Sequence, residues 1–173
     1  FAKKGYEATS IEEITSVVGV AKGTLYYHFS SKEEIFNFLV EEGMNLLKNS
    51  ISIKTSKVDN VVDKLKAIIL IQIKILIKYE DFITILLSQI WGKEPRNVAC
   101  KNYVFDYINI IEKIIQDGID KGELNNVDPQ VLASSIFGFT CSSLLYKIKT
   151  EKELDIQTLY KEYVNVLLGN YFK

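Results

Sequence analysis

Val20-Ala21-Lys22-Gly23-Thr24-Leu25-Tyr26-Tyr27-His28-Phe29, followed by Ser31-Lys32-Glu33-Glu34, is the stretch on which the fold turns. It reads as a short helix from Ala21 to about Tyr27 with two unlike sides. Val20, Leu25 and Phe29 supply an apolar docking face. Ala21 and Gly23 are small, so the backbone can approach another molecule closely. Lys22, Thr24, Tyr26, Tyr27 and His28 cover the outer side with cationic and polar groups. Tyr26 and Tyr27 are adjacent and cannot share a face. One is expected inside or at the rim and the other outward.

Upstream, Thr9 with Glu12, or Ser10 with Glu13, forms the Ser/Thr-x-x-Glu pattern of a capping box. Ile11, Ile14 and Val18 then recur at helical spacing, and the segment must stop near Gly19. Two short helices joined by Val18-Gly19-Val20 make a helix-turn-helix pattern. Residues 1–6 (FAKKGY) read as the end of a further helix, closed by Gly5. Since the chain begins at Phe1, most of that helix is expected to be missing. Downstream, Ser31 with Glu34 opens a long helix from Lys32 to about Ser50, whose free N–H groups offer an anion site.

Residues 51–57 read as a connection. Helices are then expected over about 58–79, 81–91, 96–120, 129–149 and 156–171. Gly92 and Pro95 separate two of them, Asp128 and Pro129 open the fourth, and Asp155 caps the last. No period-two pattern marks a strand. The fold class expected is all-α. It comprises a homeodomain-like three-helix head over 1–50, with linking helix 32–50, and a helical ligand-binding and dimerisation bundle over 58–173.

Of 173 residues, 47% are hydrophobic and 25% charged, so a packed core is expected and disorder is not. The net charge of −1 lacks the bulk basicity common in nucleic-acid proteins. Within residues 1–32, Lys3, Lys4, Lys22 and Lys32 face Glu7, Glu12 and Glu13. Acidic groups farther than a Debye length, ~8 Å, leave a locally positive face free to act, so any DNA affinity should be modest and salt-dependent. Cys100 and Cys141 fit no metal spacing and read as buried thiols of a cytoplasmic protein. No metal, cofactor or membrane partner is expected. The apolar run Ala67–Ile77 is shorter than the ~20 residues of a membrane span. No Ser/His/Asp or Cys/His set and no phosphate-cradling glycine loop can be assembled, so an enzyme is not expected.

Residues 1–50 resemble the DNA-binding head of the tetracycline-repressor (TetR) family of bacterial regulators. The resemblance is carried by Phe1-Ala2-x-x-Gly5-Tyr6, Thr9-Ser10-Ile11-x-x-Ile14, Gly19-Val20-x-x-Gly23-Thr24-Leu25-Tyr26-Tyr27-His28-Phe29 and Lys32-Glu33-x-Ile35-Phe36. Thr15 departs from the small alanine often found there. In the body, Gly118-Ile119-Asp120-Lys121-Gly122-Glu123-Leu124 before Asp128-Pro129 looks like the junction preceding the family's dimerisation helices. The resemblance implies that Lys22, Gly23 and Thr24 meet base edges or nearby phosphates. It implies that Thr9, Tyr26, Tyr27, His28 and Lys32 hold phosphates.

It also implies a body cavity. Trp91, Tyr103, Tyr107, Phe137 and Cys141 are the candidate lining, against the ordinary alternative that such side chains pack the core. Trp91 and Tyr103 are favoured, because polar-tipped rings suit an amphipathic ligand. The last two helices are the candidate dimer pair, with Phe139, Thr140, Ser143, Leu144, Val164, Leu167 and Leu168 at the interface. The alternative is that these stripes face only their own core. The function expected is a ligand-responsive transcriptional regulator. It would act as a repressor that binds palindromic double-stranded DNA as a homodimer and is released by a small-molecule effector. The rival is an all-helical small-molecule-binding or interaction protein that does not act through DNA.

Overall fold

The structure is a computed structural model that describes residues 1–125, 127–169 and 171. Among these residues every regular element is helical. The helices are α1 (Gly5–Ala8), α2 (Ile11–Val18), α3 (Lys22–His28), α4 (Lys32–Thr55), α5 (Val61–Lys78), α6 (Glu80–Gln89), α7 (Pro95–Asp120), α8 (Pro129–Thr150) and α9 (Ile156–Leu168).

The head is built by its caps. Of the two possible boxes, Ser10 with Glu13 forms: Glu13 N–H donates to Ser10 Oγ at 3.2 Å, and Ser10 N–H donates to the Glu13 carboxylate at 3.0 Å. Gly19 ends α2 at φ +76°, a left-handed conformation in which a Cβ would be strained, and this turn aims α3. Gly5 is also left-handed and closes the turn on Phe1 O at 2.7 Å. It does not end the helical chain, however, because it is itself the first residue of α1.

The helix opened by Ser31 runs past Ser50 to Thr55, so residues 51–55 are helix where a connection was expected. Ile51 is buried, and the hydroxyls of Ser50 and Thr55 fold back onto the carbonyls four residues earlier. Tertiary burial and local bonding override the polar composition of that stretch. Helix α5 starts later than expected, at Val61, whose N–H donates to the Glu123 carboxylate at 2.6 Å. A carboxylate at a helix N-terminus is favoured by the helix dipole.

The body core is one apolar cluster drawn from α4 to α9. The Ile-rich run lies within α5 and buries Ile68, Ile69, Ile73 and Leu76. Helix α8 is long and apolar enough to cross a bilayer, but it packs Leu132, Ala133, Ile136, Phe137, Cys141 and Leu144 into this core.

Candidate nucleic-acid interface

Helix α3 buries no residue completely; Leu25 and Phe29 hold it half-buried against the head, with Phe29 5.4 Å from the Phe38 ring. Lys22, Gly23, Thr24, Tyr27 and His28 are all exposed, and a Cβ at Gly23 would meet nothing within 4 Å. Tyr26 is 47% exposed and stands at the rim, while Tyr27 is 86% exposed and meets His28 edge-to-face at 5.1 Å. Lys22 is ion-paired with Glu12 across the turn and lies 5.8 Å from the Tyr26 ring centre. The hydrogen bond between them raises the Lys22 pKa and lowers that of Glu12. A phosphate arriving at α3 therefore competes with Glu12 for this ammonium.

Two expected contacts are placed differently. Thr9 is buried and donates its hydroxyl to Gly5 O at 2.7 Å. The Lys32 ammonium donates to the carbonyls of Tyr6 at 2.9 Å, Thr9 at 3.1 Å and Glu7 at 3.3 Å, and lies 4.4 Å from the Tyr6 ring centre. Both side chains turn inward, so the expectation that they hold phosphates gives way to closing the C-terminal end of α1. Just ahead of α4 the chain is held by a carboxylate. Glu34 accepts from Ser30 N–H and Ser30 Oγ, each at 2.6 Å, and these bonds lower its pKa.

Sequence reasoning missed how the head meets the body. Arg96, at the start of α7, donates to Glu7 at 2.6 Å and to Gln89 Oε1 at 3.2 Å. Its guanidinium lies 4.2 Å from the Tyr6 ring centre, within cation–π range. Gln89 also accepts from Asn97 at 2.8 Å, which fixes the end of α6. Phe82, in the first turn of α6, sits on Gly43 of α4, where any side chain would collide with its ring. At the same end α6 is tied to α8 by the Glu80–Lys149 pair. Helix α6 thus touches both the body core and the helix that carries the head. Contacts 89 residues apart in sequence, such as Arg96 to Glu7, leave no local signature.

In the body, Tyr107, Phe137 and Cys141 come together, and Trp91 does not join them. The Tyr107 and Phe137 rings meet edge-on at 5.7 Å, and Tyr107 accepts a hydrogen bond from Gln72 Nε2 at 2.8 Å. Burial pushes the Tyr107 phenol well above its usual range, the Cys141 thiol to about 12 and the Cys100 thiol to about 11. Trp91 is 88% exposed in the link between α6 and α7, so its place in a cavity lining is withdrawn. Tyr103 is half-buried toward α4, with the Lys48 ammonium 5.6 Å from its ring centre.

The expected dimer residues divide. Thr140, Leu144, Leu167 and Leu168 are buried within their own protomer, which corrects their assignment to an interface. Ser143 accepts from Tyr163 at 2.9 Å, Phe139 packs on Tyr163 at 5.0 Å, and both they and Val164 are half-buried. The outer face of α8 is instead a stripe of Val131, Ser135, Gly138, Ser142 and Tyr146, all exposed, with Val166 of α9 exposed as well. Small residues carry little hydropathy signal, so this stripe was overlooked in favour of larger side chains.

Residues 1–39 match the family described as bacterial regulatory proteins, tetR family, and residues 58–145 match the tetracyclin repressor-like C-terminal domain. A Clostridium perfringens protein proposed to regulate fatty acid metabolism is 36% identical. It has a TM-score of 0.92, over 98% of this chain and 92% of that one. The Bacillus subtilis regulator FadR, solved with stearoyl-CoA, has the same fold: TM-score 0.85 at 22% identity over 96% of this chain and 91% of that one. The uncharacterized HTH-type transcriptional regulator YerO of Bacillus subtilis is 32% identical over 69% of this chain, which spans 41% of YerO. The helix-turn-helix head, the helical body and both family matches agree: this chain belongs to the TetR family of bacterial transcriptional regulators.

Proposed function

We propose that this chain represses transcription as a homodimer on a palindromic operator in the cytoplasm and is released by a fatty acyl-coenzyme A thioester. The observation that carries the DNA half is the unobstructed outer face of α3, where Lys22, Gly23, Thr24, Tyr27 and His28 stand together in solvent. Lys22 and Thr24 read base edges or adjacent phosphates, and Tyr26, Tyr27 and His28 fix register on the backbone. A two-fold dimer built on the outer stripe of α8 and on α9 presents two such helices to successive major grooves ~34 Å apart.

The effector class rests on likeness to the Clostridium perfringens protein and to FadR, together with a body core dominated by aliphatic side chains. The ligand acts by binding the DNA-incompetent arrangement more tightly, so ligand and operator oppose each other reciprocally. Helix α6 transmits the shift to α4 through Phe82 on Gly43 and to α1 through Gln89 and Arg96.

The test is fluorescence anisotropy of the dimer on DNA upstream of its own and neighbouring genes, at two salt concentrations, with and without stearoyl-CoA. Salt-sensitive binding to one palindrome, reversed by the thioester, is the expected result. A folded dimer with no preference over scrambled DNA would favour the reading in which the protein does not act through DNA.

A further inference from the structure

Among the polar side chains buried in the body are Gln72 of α5, Tyr107 of α7 and Thr140 of α8. Gln72 Nε2 donates to the Tyr107 hydroxyl at 2.8 Å, but Gln72 Oε1 and Thr140 Oγ1 have no hydrogen-bond partner. Buried polar atoms in proteins are nearly always bonded, and an unmade bond there is more costly than the same bond is stabilising when made.

Thr140 is unlike Thr9 and Thr15, the other buried threonines, which each donate to the carbonyl four residues earlier. Ser50, Thr55, Thr84, Ser134 and Thr150 do the same. This local bond is the ordinary way for a helix to satisfy Ser or Thr. Thr140 forgoes it, although it is fully buried. One turn away on the same face of α8, Phe137 meets the ring of Tyr107, and the neighbouring Cys141 is close enough to bear on the Tyr107 phenol. The amide, the phenol and the hydroxyl therefore belong to one region where α5, α7 and α8 pack together.

We infer that Gln72 and Thr140 select an effector whose apolar portion carries a hydroxyl group, so that the preferred ligand is a hydroxylated fatty acyl thioester. This rests on the acyl-thioester reading above. A hydroxyl donates to Gln72 Oε1 and accepts from the Thr140 hydroxyl, which satisfies both unpaired atoms at once. A keto oxygen accepts from Thr140 but gives nothing to Gln72 Oε1, and a plain chain satisfies neither. The order of affinity is therefore hydroxylated, then keto, then saturated.

The experiment measures binding to the intact dimer by isothermal titration calorimetry, and operator release by anisotropy. The probes are stearoyl-CoA, a set of stearoyl-CoA derivatives hydroxylated singly at carbons spread along the chain, and the corresponding keto derivatives. At one chain position the hydroxylated thioester should bind about tenfold tighter than stearoyl-CoA, the factor expected of two neutral hydrogen bonds made out of water. Gln72→Leu and Thr140→Val replace each group with an apolar one of similar size, so the variants should fold. Each should lose several-fold of the preference while binding stearoyl-CoA at least as well as the parent.

Stearoyl-CoA releasing DNA while no hydroxylated derivative binds better overturns this inference and leaves the effector class standing. A preference that survives both substitutions also overturns it. If the folded dimer binds the operator but no thioester of any kind, the effector reading falls, and this inference with it.

Discussion

Gly43→Ala tests the contact through which the body meets the helix that bears the head. In the middle of a helix, alanine is more favourable than glycine by about 1 kcal/mol. Here, however, the new methyl would lie 2.5 Å from Phe82 Cε2, well inside contact distance. Forcing an extra carbon into such a contact costs about 1–3 kcal/mol. The two terms oppose, and the net is a loss of about 1 kcal/mol. In a Phe82→Leu background the ring is gone and the clash with it, so the same change should stabilise by about the propensity difference. The coupling between the two sites in a double-mutant cycle is then about 1–3 kcal/mol. Urea unfolding at one fixed dimer concentration measures it, since dimer stability depends on concentration. Operator affinity should fall in Gly43→Ala alone, because α4 is pushed off α6. Equal stabilisation in both backgrounds would refute the claim that Phe82 seated on Gly43 sets the spacing of these helices.

If Lys22 holds a phosphate in each half of a dimer, as proposed, Lys22→Ala should shrink the slope of log K against log salt by about 1.8, from ~0.9 per contact; an unchanged slope would place Lys22 off the backbone. Lys32→Met takes away the donor to three carbonyls and should destabilise the head by about 1–3 kcal/mol. A loss of DNA affinity with unchanged stability would return Lys32 to the phosphate contacts. The Glu13 carboxylate, hydrogen-bonded by Lys4 and by the Ser10 N–H, is held down from 4.5 to about 2. Its folded value is the lower one, so its contribution is complete above pH 4.5 and fades as pH falls through about 2. An NMR titration of Glu13 with its midpoint near 4.5 would contradict the cap. Cys141, buried with its thiol pushed up to about 12, should resist iodoacetamide at pH 8 until the body unfolds, as followed by mass spectrometry. Rapid alkylation of the native dimer would show that the core opens to solvent.

The helices were legible because their ends are written locally. Ser10, Ser31, Asp128 and Asp155 each cap as their spacing suggests, and Gly19 turns the chain where α2 must stop. Lys22, Gly23, Thr24, Tyr27 and His28 were readable as an outer face because a helix so short has only one side left once Leu25 and Phe29 dock. Direction is harder to read than identity. Thr9 and Lys32 carry groups suited to phosphate, but the carbonyls they reach belong to a turn that sequence spacing does not bring near Lys32. Trp91 was misjudged because an aromatic ring in a helical protein is ordinarily covered, and nothing local reveals that it lies at an exposed bend. The α8 stripe escaped for the converse reason: its surface is formed by Ser135, Gly138 and Ser142, whose small size matters only where another surface approaches.

The ion pairs of the head have a consequence on the scale of a chromosome. Lys4 and Lys22 end on Glu13 and Glu12, and Lys32 ends on backbone carbonyls. Any random stretch of duplex must therefore displace a built-in acidic partner before it gains a contact, and few counterions leave in exchange. Such stretches outnumber a true site by ~10⁶ or more, and they compete through their sheer abundance. A head that quenches its own cations leaves more of a small cellular pool unattached and available to whichever sequence gives it contacts beyond the phosphates.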